Sequence, residues 1–239
     1  MIAATQYYRS MDMWSAFRSM PAIGESYLVI GLVVGFLAIS LSLHEAAHGW
    51  VAWRHGDSTA KDLGRVTLNP LVHIDPIMTI ILPVVLMVTT GFVFGGAKPV
   101  PVQMQRLRHP LRDMSLVALA GPASNALLAL LFAVIWKAAL ASGAYGPRDI
   151  LPMVMLYCVF FNVLLAVFNL VPIPPLDGSR VMTWLLPQPL RETYVSLERW
   201  GMLLIFFLIF MVPAFQLFLW TGIRSMFSVL DFMTGGSWS

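Results

Sequence analysis

Two histidines and one glutamate form the pattern in this sequence that is most typical of metal chemistry. His44, Glu45 and His48 lie in a His-Glu-Ala-Ala-His stretch close to the end of a long apolar segment. Residues four apart share one face of a helix, so both imidazoles can bind the same Zn²⁺ ion. The glutamate can then act as a general base towards a water on that ion, whose pKa the metal lowers. The pattern predicts a hydrolytic zinc site.

The apolar surroundings of this motif favour a chemical role. An ionisable side chain inside a membrane segment costs about 2.5 to 3.5 kcal/mol on insertion scales and is rarely retained without use. The alternative is that the three side chains only mark the wet end of a helix and reach towards the lipid headgroups.

A catalytic zinc ion needs a third protein ligand, and the sequence offers Asp177. The chain runs from Asn169 through Leu-Val-Pro-Ile-Pro-Pro-Leu to Asp177 and Gly178. The prolines end the preceding helix, and the turn after them holds the carboxylate near the membrane surface. Asp-Gly alone is a common turn, so Asp177 becomes a candidate ligand only beside the histidine motif.

The elements that must position these residues are membrane helices. Of the 239 residues, 58% are hydrophobic and only 11% are charged. A soluble domain carries about 25% charged residues, so this chain cannot cover its own surface in water.

The single cysteine, Cys158, excludes a disulfide framework and a cysteine zinc finger. The net charge of +3 is too small and too scattered to indicate nucleic-acid binding.

Five apolar segments, named A to E, account for most of the chain. All except B are long enough to span a hydrocarbon core of about 30 Å. Segment B has 18 residues, contains Pro83 and ends in glycines, so it should enter the membrane and return. The predicted fold is an all-α polytopic membrane protein with four spanning helices, a re-entrant segment at 77–94 and a short extended or β segment near 97–102. The segments are A, Tyr27 to Trp53; B, Ile77 to Phe94; C, Ser115 to Leu140; D, Ile150 to Pro172; and E, Trp200 to Ile223.

The basic residues support a re-entrant segment B. If B does not cross, ten of the fifteen Lys and Arg residues lie on one face of the membrane, and if it crosses the split is six against nine. The positive-inside rule prefers the first arrangement and puts that face in the cytoplasm. Only this arrangement brings Asp177 to the side of the histidines. We therefore expect a multi-pass plasma-membrane protein with its metal site near the cytoplasmic side. The ten are Arg54, Lys61, Arg65, Lys98, Arg106, Arg108, Arg112, Arg180, Arg191 and Arg199.

The two motifs and the stretches between them resemble the site-2 protease family of intramembrane zinc metalloproteases, in particular its small bacterial and archaeal members without a PDZ or CBS domain. The resemblance covers about residues 27–185. It implies that His44, His48 and Asp177 bind Zn²⁺, that Glu45 is the catalytic base, and that a transmembrane helix of another protein is cut. Further matching stretches are Gly56-Asp57, Gly64-Arg65, Leu68-Asn69-Pro70, His73-Ile74-Asp75-Pro76, Ala97 to Val102 and Ala120 to Asn125, with Met78 and His55 as small departures.

We expect three parts of the chain. Residues 1–26 read as an amphipathic interfacial segment without the features of a cleaved signal peptide. Residues 27–223 form a single intramembrane metalloprotease domain, and residues 224–239 form a C-terminal tail.

Asparagines in segments C and D are candidates for binding the substrate. Asn169 belongs to the second motif, where an amide could hold the substrate backbone or the developing oxyanion. Asn125 is a second candidate, although an interhelical hydrogen bond is the usual role of an amide inside an apolar segment, for Asn125 as for Asn162.

The extended stretch near 97–102 is the candidate edge strand for an unwound substrate. Pro99 and Pro101 remove donors from one edge and leave the N–H groups of Val100 and Val102 on the other. The alternative is a plain proline-rich loop.

The predicted function is that of a membrane zinc endopeptidase. The alternative is a catalytically silent zinc-binding protein, either a transporter, which would need polar groups along a path through the membrane, or a binding chaperone, which would be expected to lose Glu45. A purely structural subunit leaves the spaced ligands unexplained. The expected partners are transmembrane protein substrates and membrane lipid, but not nucleic acid. The sequence leaves open the substrate, the activating signal and the oligomeric state, a homo-oligomer included.

Overall fold

The computed structural model describes residues 12–21, 26–90 and 95–236. Within these ranges the chain forms helices and turns without a β-strand, which confirms the predicted all-α class. A π-helical stretch, Pro76–Ile81, leads directly into α4, and the extended segment 97–102 is neither helix nor assigned strand. The α-helices are α1, Met13–Arg18; α2, Tyr27–Arg54; α3, Thr59–Asp62; α4, Leu82–Thr90; α5, Pro110–Ala141; α6, Ile150–Asn169; α7, Gly178–Leu185; α8, Leu190–Ser196; α9, Gly201–Met211; and α10, Pro213–Met233.

Four helical stretches are long and apolar enough to cross a membrane. Three of them are α2, α5 and α6, which correspond to segments A, C and D. The fourth runs from Leu190 to Met211, through α8, a 3₁₀ turn and α9. The polytopic helical fold is therefore confirmed.

Segment E differs from the expected single helix over 200–223. Pro213 has no N–H and cannot continue the ladder of α9, so the chain breaks at Val212 and restarts as α10. The side chain of Gln216 donates to the carbonyl of Ile209 at 2.7 Å, which supplies the donor that the proline lacks. Helix α10 then continues to Met233, and the predicted domain boundaries themselves stay a prediction.

The main hydrophobic core lies at the end of the bundle where α2 begins. It joins the first half of α2, the second half of α5, α6 and the last turns of α10. Helix α1 packs over this core, with Phe17 stacked on Phe160 at 4.4 Å and Trp14 edge-on to Phe227 at 5.4 Å. Residues 13–18 of the predicted interfacial stretch are thus packed against α6 and α10, while residues 1–11 and 22–25 lie outside the described residues.

Segment B leaves the opposite end of the bundle and returns to it. Its two flanks are hydrogen-bonded to each other, because the N–H of Gly96 donates to the carbonyl of Met78 at 3.0 Å and the N–H of Lys98 to that of His73 at 2.7 Å. The N–H of Arg108 donates to the carbonyl of His55 at 3.0 Å, so α2 ends where α5 begins. The two flanks of segment B therefore lie at the same end of the bundle, as predicted, with residues 91–94 outside the described residues.

Candidate metal centre and active site

The last third of α2 brings two imidazoles to one buried point. His44 and His48 lie one turn apart, and their Nε2 atoms are 3.2 Å and 3.4 Å from the Asp177 carboxylate oxygens Oδ2 and Oδ1. One ligand atom from each residue lies within 4.8 Å of the other two. In the part of the chain that the structure describes, no other group of three His, Cys, Asp or Glu side chains is gathered in this way.

The turn after α6 carries Asp177 to the histidines. Helix α6 ends at Asn169, before the first proline, and the chain closes a tight turn in which the N–H of Leu176 donates to the carbonyl of Ile173 at 2.9 Å. Gly178 packs against the end of α6, and a Cβ atom at this position would lie 2.2 Å from the carbonyl oxygen of Leu170. Only glycine lets the turn close so tightly and fixes the carboxylate beside it.

Hydrogen bonds to acceptors on α5 orient both imidazoles. Nδ1 of His44 lies 2.6 Å from the side-chain oxygen Oδ1 of Asn125, and Nδ1 of His48 lies 2.7 Å from the carbonyl oxygen of Val117. Both partners are acceptors, so each Nδ1 carries the proton and donates it. Each ring therefore directs Nε2, the nitrogen that remains for a metal ion, towards Asp177.

This arrangement fits a bound cation. The Nε2 atoms of the two imidazoles face the Asp177 carboxylate oxygens at 3.2 Å and 3.4 Å, so a cation placed among these three groups would be bound by all of them. The buried Oδ2 atom of Asp177 has no hydrogen-bond donor. A Cβ atom at Gly121 of α5 would lie 2.5 Å from Nε2 of both His44 and His48, so the glycine leaves space at the point where the ligand atoms converge.

Glu45 turns towards the extended segment that follows segment B. Its Oε2 atom accepts a hydrogen bond from the N–H of Val100 at 2.7 Å. Val100 is buried, and its side chain would touch a Cβ atom at Gly49. One element thus carries the two histidines and the glutamate, and the extended segment covers the glutamate.

Comparisons with known proteins agree with this geometry. The sequence model of peptidase family M50 matches residues 145–212, the stretch that includes α6 and Asp177. The chain is 37% identical over 202 residues to YwhC of Bacillus subtilis, covering 81% of this chain and 84% of that protein. It is 32% identical over 216 residues to Rip2 of Mycolicibacterium smegmatis, covering 87% of this chain and 78% of that protein. Both relatives carry names that assign them to the zinc metalloproteases.

The chain belongs to the site-2 protease family. It is therefore a zinc metallopeptidase with apolar helices that make it a multi-pass membrane protein, and Zn²⁺ is its cofactor. The group formed by His44, His48 and Asp177 is able to hold that ion. No solved structure matches the chain.

The two asparagines that were predicted to contact the substrate, Asn125 and Asn169, differ in their burial and in their hydrogen-bond partners. Asn125 is fully buried behind His44, and its amide nitrogen donates to the side-chain oxygen of Asn162 at 3.0 Å. Asn162 in turn donates to the hydroxyl of Ser40 at 3.1 Å, which links α5, α6 and α2. Asn169 is half-buried and donates to the carbonyl of Leu165 in its own helix at 3.0 Å.

The N–H of Val100, a predicted donor to a substrate strand, donates to Glu45 in this structure. Val102 is half-buried in the same extended segment. Their roles, like those of the two asparagines, stay predictions.

A buried carboxylate fixes the far end of the extended segment. Asp57 accepts hydrogen bonds from the N–H of Gln103 at 2.6 Å and from the N–H of Thr59 at 3.0 Å. Burial alone raises the pKa of the Asp57 carboxyl, but the hydrogen bonds from Thr59 and Gln103 outweigh it and hold the pKa below its ordinary value. Asp57 thus ties the loop after α2 to the segment that reaches Glu45.

Two contributors to the site were not identified from the sequence. The carbonyl of Val117 orients His48, and a main-chain carbonyl sets no requirement on residue type, so no signal could have revealed it. Gly121 stands in the Ala-Gly-Pro stretch of the family resemblance, and that glycine was the available signal for a close approach of α5 to the ligands.

Proposed function

We propose that this protease cuts peptide bonds within or next to the transmembrane helices of membrane-protein substrates. His44, His48 and Asp177 hold the zinc ion, and Glu45 is the catalytic base. The observation that carries the proposal is the buried convergence of the three ligand atoms at one end of a helix long enough to span the bilayer. A peptide bond must reach that depth to be cut.

The residues of the chain have separate tasks in the reaction. When bound, zinc polarises the scissile carbonyl and acidifies the attacking water. Glu45 removes the proton from that water and later gives it to the leaving amine. Asn125 and the carbonyl of Val117 accept the Nδ1 hydrogen bonds of the two imidazoles and aim both Nε2 atoms at one point. The open backbone at Gly121 leaves room for the ion beside α5.

The active site belongs near the cytoplasmic face of the plasma membrane in this proposal. The predicted connections between the apolar segments at the site end of the bundle contain ten of the fifteen Lys and Arg residues. The re-entrant path of segment B supports this arrangement, because it returns the chain to the side where α2 ends.

The proposal is tested with the purified protein and its Glu45→Gln variant. Both should contain the same amount of zinc, because Glu45 is not a ligand. The variant should cut a panel of single-span membrane proteins about 10² to 10⁴ times more slowly, because it has lost its proton acceptor. Cleavage and zinc content are measured in the same preparations.

A matched control separates catalysis from general damage. Glu192→Gln changes an exposed carboxylate at the start of α8 and should leave cleavage unchanged. Equal cleavage by Glu45→Gln and the unmodified protein would contradict the role of Glu45. The absence of cleavage by the unmodified protein on every substrate would favour a silent zinc-binding protein.

A further inference from the structure

The contact between Glu45 and Val100 joins the proposed base to a main-chain donor. The N–H of Val100 lies 2.7 Å from Oε2 of Glu45. Glu45 directly follows the proposed ligand His44 in the sequence of α2. A hydrogen bond from an amide to a carboxylate holds the side chain in one direction and occupies one of the two oxygens that would accept a proton.

The extended segment turns alternate N–H groups to one edge. The N–H groups of Gly96 and Lys98 donate to the main-chain carbonyls of Met78 and His73, and the next one, Val100, donates to Glu45. The guanidinium of Arg65 donates to the carbonyl of Lys98 at 2.9 Å on the same edge. This period of two is that of a strand, although no second strand continues the pairing as far as Val100.

The partner of Val100 on this edge is a side chain, so it can be exchanged without breaking a hydrogen bond between backbone groups. Pro99 and Pro101 on either side of it have no N–H, so its donor stands alone between Lys98 and Val102. The segment is fixed on both flanks, by His73 before Val100 and by Asp57 after it. The donor therefore keeps its place when the side chain of Glu45 rotates away.

We propose that substrate takes over this hydrogen bond. In the free protease the N–H of Val100 holds Glu45, and in the complex it donates to a backbone carbonyl of the unwound substrate next to the scissile bond. Glu45 is then released to accept the proton of the attacking water. The ligand is thus an extended peptide backbone, recognised by a carbonyl and not by a side chain. The inference rests on the proposed function.

Each hydrogen bond that is broken in this exchange is replaced by another. A substrate helix that is opened in the membrane has carbonyls without partners, and the lipid offers no donors to them. The N–H of Val100 supplies one donor, while the carboxylate that it releases gains the attacking water as a new donor. Entry of an unwound backbone and activation of the base thereby become one event.

The position of Val100 between prolines allows it to be observed directly. The sequence contains three Pro-Val pairs, which end in Val84, Val100 and Val102. Protein with carbonyl-¹³C proline and ¹⁵N valine therefore gives three amide signals in a carbonyl-selected NMR spectrum in detergent. Val100→Ala and Val102→Ala each remove one signal and so assign the spectrum.

The spectrum distinguishes an exchanged contact from a permanent one. In the free protein, Glu45→Ala should move the Val100 amide proton to higher field, because a bond to a carboxylate is lost, while Val102 stays in place. With a peptidyl hydroxamate bound, the Val100 signals of the unmodified protein and of Glu45→Ala should coincide, because the inhibitor carbonyl holds the N–H in both. A difference that persists in the complex, or no response of Val100 in the free protein, would overturn the inference.

Binding measurements give an independent test. The quantity measured is the ratio of affinities for a peptidyl hydroxamate and for acetohydroxamate, which has the zinc-binding group but no peptide chain. Glu45→Ala should raise this ratio about tenfold, because the competitor for the N–H is gone. Val100→Pro should lower it by a similar factor, and Glu45→Ala should add nothing in that background. Val100→Ala, which keeps the N–H, is the matched control.

Failure of the inference can be told from failure of the proposed function. If acetohydroxamate binds but the ratio does not respond to Glu45→Ala, the exchange is wrong and the zinc centre stands. If neither hydroxamate binds the unmodified protein, the proposed zinc centre is wrong and the exchange falls with it. A Val100→Pro variant that fails to fold leaves the spectrum and the Glu45→Ala ratio as the decisive measurements.

Discussion

Each proposed histidine ligand of this protease is oriented by a hydrogen bond that it donates to another helix, so metal binding should depend on residues that never touch the metal. His44 relies on Asn125, which is itself held by Asn162. Metal affinity typically falls when the partner behind a ligand is lost, because the ring is then free to rotate and to change tautomer.

Replacement of Asn125 by Leu should therefore weaken zinc binding about 10- to 100-fold. The affinity is measured by competition with a chelator. Asn162→Leu is the matched control. Asn162 is one hydrogen bond further from the proposed ligand than Asn125, so its loss should weaken zinc binding less. Equal affinities in the unmodified protein and the Asn125 variant would mean that His44 is held in place by packing alone.

A methyl group at Gly121 should disrupt the metal centre more severely. It would lie 2.5 Å from Nε2 of both histidines, so Gly121→Ala should reduce the zinc content of the purified protein to a minor fraction. Gly31→Ala is the control, since a Cβ atom at Gly31 meets nothing within 4 Å. Zinc is measured by elemental analysis, and full occupancy in Gly121→Ala would show that α5 can move away from the ligands.

The sequence predicted three candidate metal ligands, because metal coordination restricts residue type and spacing. His44, His48 and Asp177 were found in this way, and the structure brings them together. The contact of Val100 with Glu45 could not be predicted, because every residue except proline offers the same N–H. The pattern of Pro99 and Pro101 indicated which residues have donors, but not what those donors bind.

At the scale of elements, the path of the extended segment depends on Asp57. This carboxylate is buried and joins the loop after α2 to Gln103. Asparagine at position 57 would keep one acceptor but present an NH₂ group to the backbone donors. The segment that carries Val100 would then lose its anchor.

Asp57→Asn should therefore lower Tm by several degrees at pH 7. The pKa of Asp57 is below its ordinary value of 3.8, so the ionised carboxylate stabilises the folded state at neutral pH, and this contribution is lost as the pH falls through the folded-state pKa. The difference in Tm between the two proteins should shrink below about pH 4. Thermal unfolding from pH 7 downward, with Asp62→Asn as a control on the exposed side of α3, measures the difference. A gap that stays constant with pH would exclude ionisation as its cause.

Segment E shows why element boundaries were harder to predict than element types. Its composition is apolar from Trp200 to Ile223, and hydropathy does not register a break at one residue. Pro213 was the available signal, and the side chain of Gln216 is what makes the break tolerable in an apolar setting. The return of segment B to the side where it starts could be predicted, because two independent constraints, charge and the position of Asp177, both required it.

At the scale of the whole molecule, the two ends of the bundle are built differently. The site end is made of turns, short helices and the extended segment. The far end is closed by aromatic packing of α1 and by an ion pair between α5 and α10, in which Nζ of Lys137 lies 2.8 Å from Oδ1 of Asp231. Both side chains are largely buried, at 10% and 14% exposure, and Lys137 also donates to the carbonyl of Gly236 at 2.7 Å.

Loss of one partner of this pair should destabilise the protein, while loss of both should not. Lys137→Met leaves Asp231 as an uncompensated, nearly buried charge, which typically costs about 3 to 5 kcal/mol. Adding Asp231→Leu removes that charge and should recover most of the stability, because the desolvation penalty disappears with it. Thermal unfolding of the three proteins in one detergent measures the effect. Zinc content should be equal in all of them, since the pair lies at the opposite end from His44. If the double variant is as unstable as Lys137→Met, then attraction between the charges, and not the burial of a lone charge, decides how α10 is held.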